Sequence, residues 1–255
     1  MRVRQKQANR GSQKWMQDLV NQAPHLLDRA IARELNLTPA EKIQWLSPLE
    51  SDGYAEYRDQ AFLAKLETQP RHTSLSAFWP ARGPQWDALG RTSSGQLLLV
   101  EAKAHIGELL STPCQAAGAS LKAIRASIDR VKRALAPRSQ TDWCAVYYQY
   151  TNRLAHLYYL RTMNDLPAYL AFLYLTGDTE MKGPKTAEEW SGALRLLHQH
   201  LGIDDGRLQR HLGGAVIDLF IDVADIQAAT GWDADQQVRD PAGLERVARP
   251  KCRAS

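Results

Sequence analysis

Asp87 is followed by thirteen residues and then by Glu101-Ala102-Lys103, so that two carboxylates and an amine lie within seventeen positions. Two acids brought close together repel unless a cation sits between them or they share a proton. Hard oxygen donors suit Mg²⁺ or Mn²⁺, and Mg²⁺ is ordinarily held by one or two carboxylates, with water and substrate phosphate filling the remaining positions. A neighbouring lysine can hold a nucleophilic water or offset charge developing on phosphorus. Together these are the parts of a metal-assisted phosphodiester hydrolysis. The competing reading is an ordinary hairpin in which Glu101 and Lys103 form a solvent-exposed pair of small energetic consequence.

For that chemistry the acids must converge, and the local pattern says how. Along 96–105 the side chains alternate: Leu97, Leu99, Glu101, Lys103 and His105 share one face, and Leu98, Val100, Ala102 and Ala104 the other. Residues 85–89 read as a shorter strand, and 90–95, with Ser93 and Ser94, as the turn between them. The midpoint of 87 and 101 falls on Ser94. That register sets Asp87, or its immediate neighbour, opposite Glu101 at a Cβ separation of about 5 Å.

Around this hairpin, helical spacing predicts helices over 15–35, 54–66, 113–136, 144–161 and 187–201, with a short one capped at Thr38-Pro39. Strands are expected at 74–79, 169–175 and 215–223. The order implies an α/β fold, with a central mixed β-sheet containing a β-meander and flanked by helices.

The Asp87…Glu101-x-Lys103 spacing behind an apolar strand resembles the PD-(D/E)xK, or restriction-endonuclease-like, nuclease superfamily. The resemblance spans roughly residues 53–160. It departs at Trp86, where the name-giving proline would stand. It implies a restriction-endonuclease-like core, Asp87 and Glu101 as ligands of Mg²⁺ or Mn²⁺, and Lys103 as the catalytic lysine. It also implies a further acid from the helix before the meander, for which Glu56 is the first choice and Asp59 the second. The implied activity is cleavage of DNA. The alternative is a non-catalytic nucleic-acid- or protein-binding module on the same scaffold.

A second constellation lies in 147–160, where Gln149, Asn152, Arg153 and His156 fall on one stripe of a helix otherwise built of Tyr, Leu and Ala. Polar groups on a buried helix need partners or a cleft. Gln149 and Arg153 are therefore candidates to contact phosphate, and His156 to bind phosphate or carry a proton. An internal hydrogen-bond network is the competing reading. Glu108 and Ser111 follow the motif in a loop from which either could approach a metal.

With 44% hydrophobic and 24% charged residues, the chain of 255 has enough apolar surface for a real core, which excludes wholesale disorder. The longest apolar run, near 166–176, is about half the roughly 20 residues a membrane-spanning helix needs. The basic start has no apolar stretch behind it, so a cytoplasmic location is expected, and Cys114, Cys144 and Cys252, without a CxxC, fit a reducing compartment. The net charge of +4 is modest but unevenly spread. Positive blocks at 1–14, at 121–138 and around Arg246, Arg249, Lys251 and Arg253 suit a polyanion. One domain is expected. It would comprise a flexible basic arm at 1–12, an N-terminal helical extension at 13–50, a nuclease-like core at 53–225 and a tail at 226–255. DNA would be held by the arm and by 121–138, and cutting both strands would call for a partner or a homodimer.

Overall fold

The computed structural model describes residues 1–231. The chain opens with strand β1 (Arg2–Val3) and helix α1 (Gly11–Asn21), then α2 (Pro24–Leu35). The single helix expected over 15–35 is thus two. Pro24 has no N–H to donate to a preceding turn, and it occupies the first turn of α2 instead. Asn36, in the left-handed region at φ 51°, closes α2. Thr38-Pro39 starts no helix; the chain turns there into strand β2 (Ile43–Ser47).

Next come β3 (Glu56–Tyr57), α3 (Gln60–Lys65) and α4 (Leu75–Phe78). The helix expected over 54–66 therefore keeps only its second half. The strand expected at 74–79 is a single helical turn, begun where the Ser74 hydroxyl accepts from the Ala77 N–H. Strands β4 (Ala88–Thr92) and β5 (Leu97–Lys103) form the hairpin. Helices α5 (Gly118–Leu135) and α6 (Tyr148–Arg161) lead to β6 (Ala168–Thr176), and α7 (Ala187–Leu201), α8 (Asp205–Leu212), β7 (Val216–Asp222) and α9 (Val223–Thr230) follow.

The main sheet has the order β2-β4-β5-β6-β7, antiparallel at its first two junctions and parallel at its last two. The expected α/β class with a central mixed sheet flanked by helices is what the chain adopts. Every residue of β5 is buried, because both of its faces are covered. Leu97 and Leu99 pack with α5, α6 and α7, while Leu98, Val100 and Ala102 pack with α1, α2 and α9. Among the described residues no helix is long and apolar enough to cross a membrane.

Two boundaries shift. The segment 13–50 is not a helical annex, since β2 is a strand of the central sheet. Residues 1–12 are not a free arm either. β1 pairs with β3, the Met1 ammonium donates to the Arg58 carbonyl, and Arg2 bonds Asp52 at 2.6 Å. Of the tail, Ile226 is buried in α9; Arg246, Arg249, Lys251, Cys252 and Arg253 lie outside the described residues.

Candidate functional site

Ala88 pairs with Val100 and Leu89 with Leu99, a register whose midpoint is Ser94. One step further along the same register sets Asp87 against Glu101, and the ends of the pair are tied directly. The Asp87 N–H donates to the Val100 carbonyl at 3.2 Å, and Asp87 Oδ2 accepts from the Ala102 N–H at 2.8 Å. Trp86, at the position where the resemblance leads one to expect proline, is fully buried and bridges to Tyr57. It anchors the strand end that carries Asp87.

Asp87, Glu101 and Lys103 line one cleft of about 950 Å³ together with Glu56, Gln85, Glu108, Gln149 and Arg153. Lys103 Nζ lies 2.6 Å from Glu101 Oε1 and donates to Gln149 Oε1 at 3.1 Å. Arg153 grips the other oxygen: Nε and Nη2 reach Glu101 Oε2 at 2.7 and 2.6 Å. Its remaining donors go to the Gln85 carbonyl at 2.7 Å and Asn152 Oδ1 at 2.8 Å, and its guanidinium lies 5.0 Å from the centre of the Trp86 ring. Arg153 is thus committed chiefly to Glu101, Gln85 and Asn152, where it was expected to contact phosphate. It holds Glu101.

Glu56 joins the site from β3, not from a helix. Gln5 Nε2 donates to it at 3.1 Å, Gln13 Nε2 at 3.4 Å, and Gln85 Nε2 also donates. Asp59, the second choice for that acid, instead accepts from the Gly83 N–H at 2.8 Å and lies away from the cleft lining. Glu108 does line the cleft. It accepts from the Ala104 N–H at 2.6 Å and from the Ser12 hydroxyl at 3.2 Å. Ser111 accepts from the Gln149 N–H at 2.9 Å, fixing the start of α6.

His156 is not brought to the cleft. It is 1% exposed and boxed by Phe62, Phe78, Trp79 and Trp86, with ring centroids 4.7 to 6.4 Å away, while Nδ1 meets the Asn152 carbonyl at 2.9 Å. Burial holds its pKa down to about 3, so the ring is neutral and takes no part in proton transfer at the carboxylates. The stripe on α6 divides: Gln149, Asn152 and Arg153 face the site, and His156, one turn on, packs in the aromatic core. Sequence reading gave Gln85 and the Gln5–Gln13 pair no weight. Neutral amides far away in the chain carry no signature of the carboxylate they serve.

The electrostatics are asymmetric. Burial pushes Asp87 well above the usual carboxylate range, and the nearby charges of Glu101 and Glu56 push the same way. Burial also acts against ionised Glu101, but Arg153 and Lys103 outweigh it and hold that carboxyl below its ordinary value. For Lys103, burial disfavours the ammonium, and Glu101 and Asp87 more than restore it. Glu56 is raised, by burial first.

A hard divalent cation fits this arrangement. Asp87 lines the cleft, and the repulsion from Glu101 and Glu56 that adds to burial in raising it is what a cation would relieve. Asp87 and Glu101 are the two carboxylates such an ion ordinarily takes from a protein. Among the described residues no group of three or more His, Cys, Asp or Glu is gathered for a metal.

The 121–138 block contributes little at the cleft. The first turn of α5 lines the wall through Ala117 and Ser120, Arg125 pairs with Asp142 at 3.0 Å, and Lys132 donates to the Thr141 carbonyl at 2.5 Å. Lys122, Arg130 and Arg133 are exposed. Cys114 and Cys144 are free thiols. Comparison of the chain with protein-family models, with characterised proteins and with solved structures gave no match.

Proposed function

We propose that the chain is a metal-dependent nuclease acting on DNA, with Mg²⁺ or Mn²⁺ held by Asp87 and Glu101 and with Lys103 beside the attacking water. The observation that carries this reading is the meeting of Asp87, Glu101 and Lys103 at one cleft, with the ammonium 2.6 Å from Glu101. The finer fold assignment, a restriction-endonuclease-like core, is part of the same proposal. It rests on a meander of β2, β4 and β5 preceded by helices, with the two acids and the lysine at the end of its hairpin.

When bound, the cation supplies Lewis acidity and an acidified water. Lys103, kept protonated, is a donor and a fixed positive charge and not a base; Gln149 aims it by accepting one of its hydrogens. Arg153 keeps Glu101 ionised and immobile. Helices α1 and α5 open on the cleft with uncapped first turns free of acidic residues, so their N-terminal dipoles favour an entering phosphate.

The test is cleavage of plasmid and short oligonucleotides with Mg²⁺ or Mn²⁺ by wild type, Asp87→Ala and Lys103→Ala. Both variants should lose about 100-fold or more in rate, the scale for removing one electrostatic stabiliser. Equal cleavage by all three overturns the reading. A second reading, a non-catalytic nucleic-acid- or protein-binding module, is favoured by one contact set: both oxygens of Glu101 already carry cationic partners. It predicts salt-dependent binding that survives Asp87→Ala and no turnover by the wild type.

A further inference from the structure

The groups proposed for chemistry lie deep. Glu101 is 2% and Lys103 8% exposed, so a phosphate has to enter the cleft and not merely lie across its mouth. The walls that it must pass are unlike. One is the segment 81–85, with Arg82 exposed on its rim. The other is built from 107–117 and the start of α5, and from 109 to 121 the chain has no charged side chain at all. On this second wall Leu110 stands 57% exposed at the cleft, near Pro113 and half-buried Tyr148, all three of which line it.

A protein that tracks duplex DNA neutralises successive phosphates with lysines and arginines along its rim. Here the cations, Lys103 and Arg153, lie at the floor among the carboxylates of Glu56, Asp87 and Glu101, and beyond Glu108 the longer wall is uncharged and partly apolar. Single-strand binders pair a cationic track for the backbone with apolar or aromatic surface for the bases, which a duplex keeps stacked inside. With a divalent ion offsetting those carboxylates, as the nuclease reading has it, charge and surface complementarity match one strand whose phosphates point to the floor and whose bases lie against the uncharged stretch of wall.

We propose that the cleft admits a single DNA strand, or an unpaired stretch of a duplex, with Leu110 as the residue that contacts a base and sets this preference. The proposal takes its chemistry from the nuclease reading but can be measured apart from it. Fluorescence anisotropy with Ca²⁺ in place of Mg²⁺, which keeps a hard divalent ion at the carboxylates, would compare a labelled short oligonucleotide alone and annealed to its complement, using wild type, Leu110→Ser and Leu110→Phe. The single strand should bind about tenfold tighter than the duplex. Leu110→Ser should weaken single-strand binding several-fold and leave duplex binding unchanged, while Leu110→Phe should match or exceed wild type. Equal or tighter duplex binding overturns the proposal, as does an inert Leu110→Ser or the failure of either form to bind. With Mg²⁺ added, single-strand binding without cleavage sinks the nuclease reading alone, whereas preferential cutting of intact duplex sinks the strand preference alone.

Discussion

Arg153 shows how a single side chain can be assigned the right place and the wrong task. Its spacing from Gln149 marks it for the site, but its guanidinium satisfies Glu101, Gln85 and Asn152 at once. Breaking a buried pair by removing one partner leaves an uncompensated charge, typically at a cost of about 3–5 kcal/mol. Arg153→Met should therefore destabilise the protein by an amount in that range, read from urea unfolding, with Arg153→Lys falling between the two. A loss below about 1 kcal/mol, the level of an exposed pair, would show that the guanidinium is not holding Glu101 in solution. Lys103 still contacts Glu101 in either variant, so the measured loss refers to the guanidinium alone.

At the scale of elements, α6 carries two environments on one stripe. His156 is sealed among four aromatic rings, and its pKa of about 3 lies below the ordinary 6.5. The unfolded chain takes up a proton there that the folded chain refuses, so stability must fall as pH drops below 6.5. The expected slope from this group is about 1.4 kcal/mol per pH unit. Chemical denaturation at pH 6 and pH 5 should show that slope in wild type and lose it in His156→Gln; parallel curves would refute it. The hairpin was legible in the sequence because it is local: alternation along 97–103 and a turn centred on Ser94 determine its register. The parallel strand β6 and helix α7 were legible because their apolar patterns are long. Strand β2 was not, since five residues beside Pro39 and Pro48 carry too little pattern. Glu56 was assigned a helix because 54–66 does have helical spacing, whereas pairing with Arg2–Val3 draws its first residues into a strand. That partner lies more than fifty positions away, beyond any local signal.

Taken whole, the molecule builds its cleft from segments far apart in the chain, and the first residues are among them. β1 straps β3, and Gln5 donates to Glu56. Deleting residues 1–9 should leave the central sheet folded by circular dichroism yet reduce cleavage by about 10- to 100-fold, the scale on which small displacements of reacting groups act. Unchanged activity in the truncated protein would mean that Glu56 holds its position without the strap. The central sheet changes from antiparallel to parallel at β5, and this imposes a timetable on assembly. Short loops close faster than long ones, so the hairpin that opposes Asp87 to Glu101 zips early, whereas Arg153 reaches Glu101 across 52 positions only when the crossover is complete. Until then Lys103 is the cation that reaches Glu101 from within the hairpin itself.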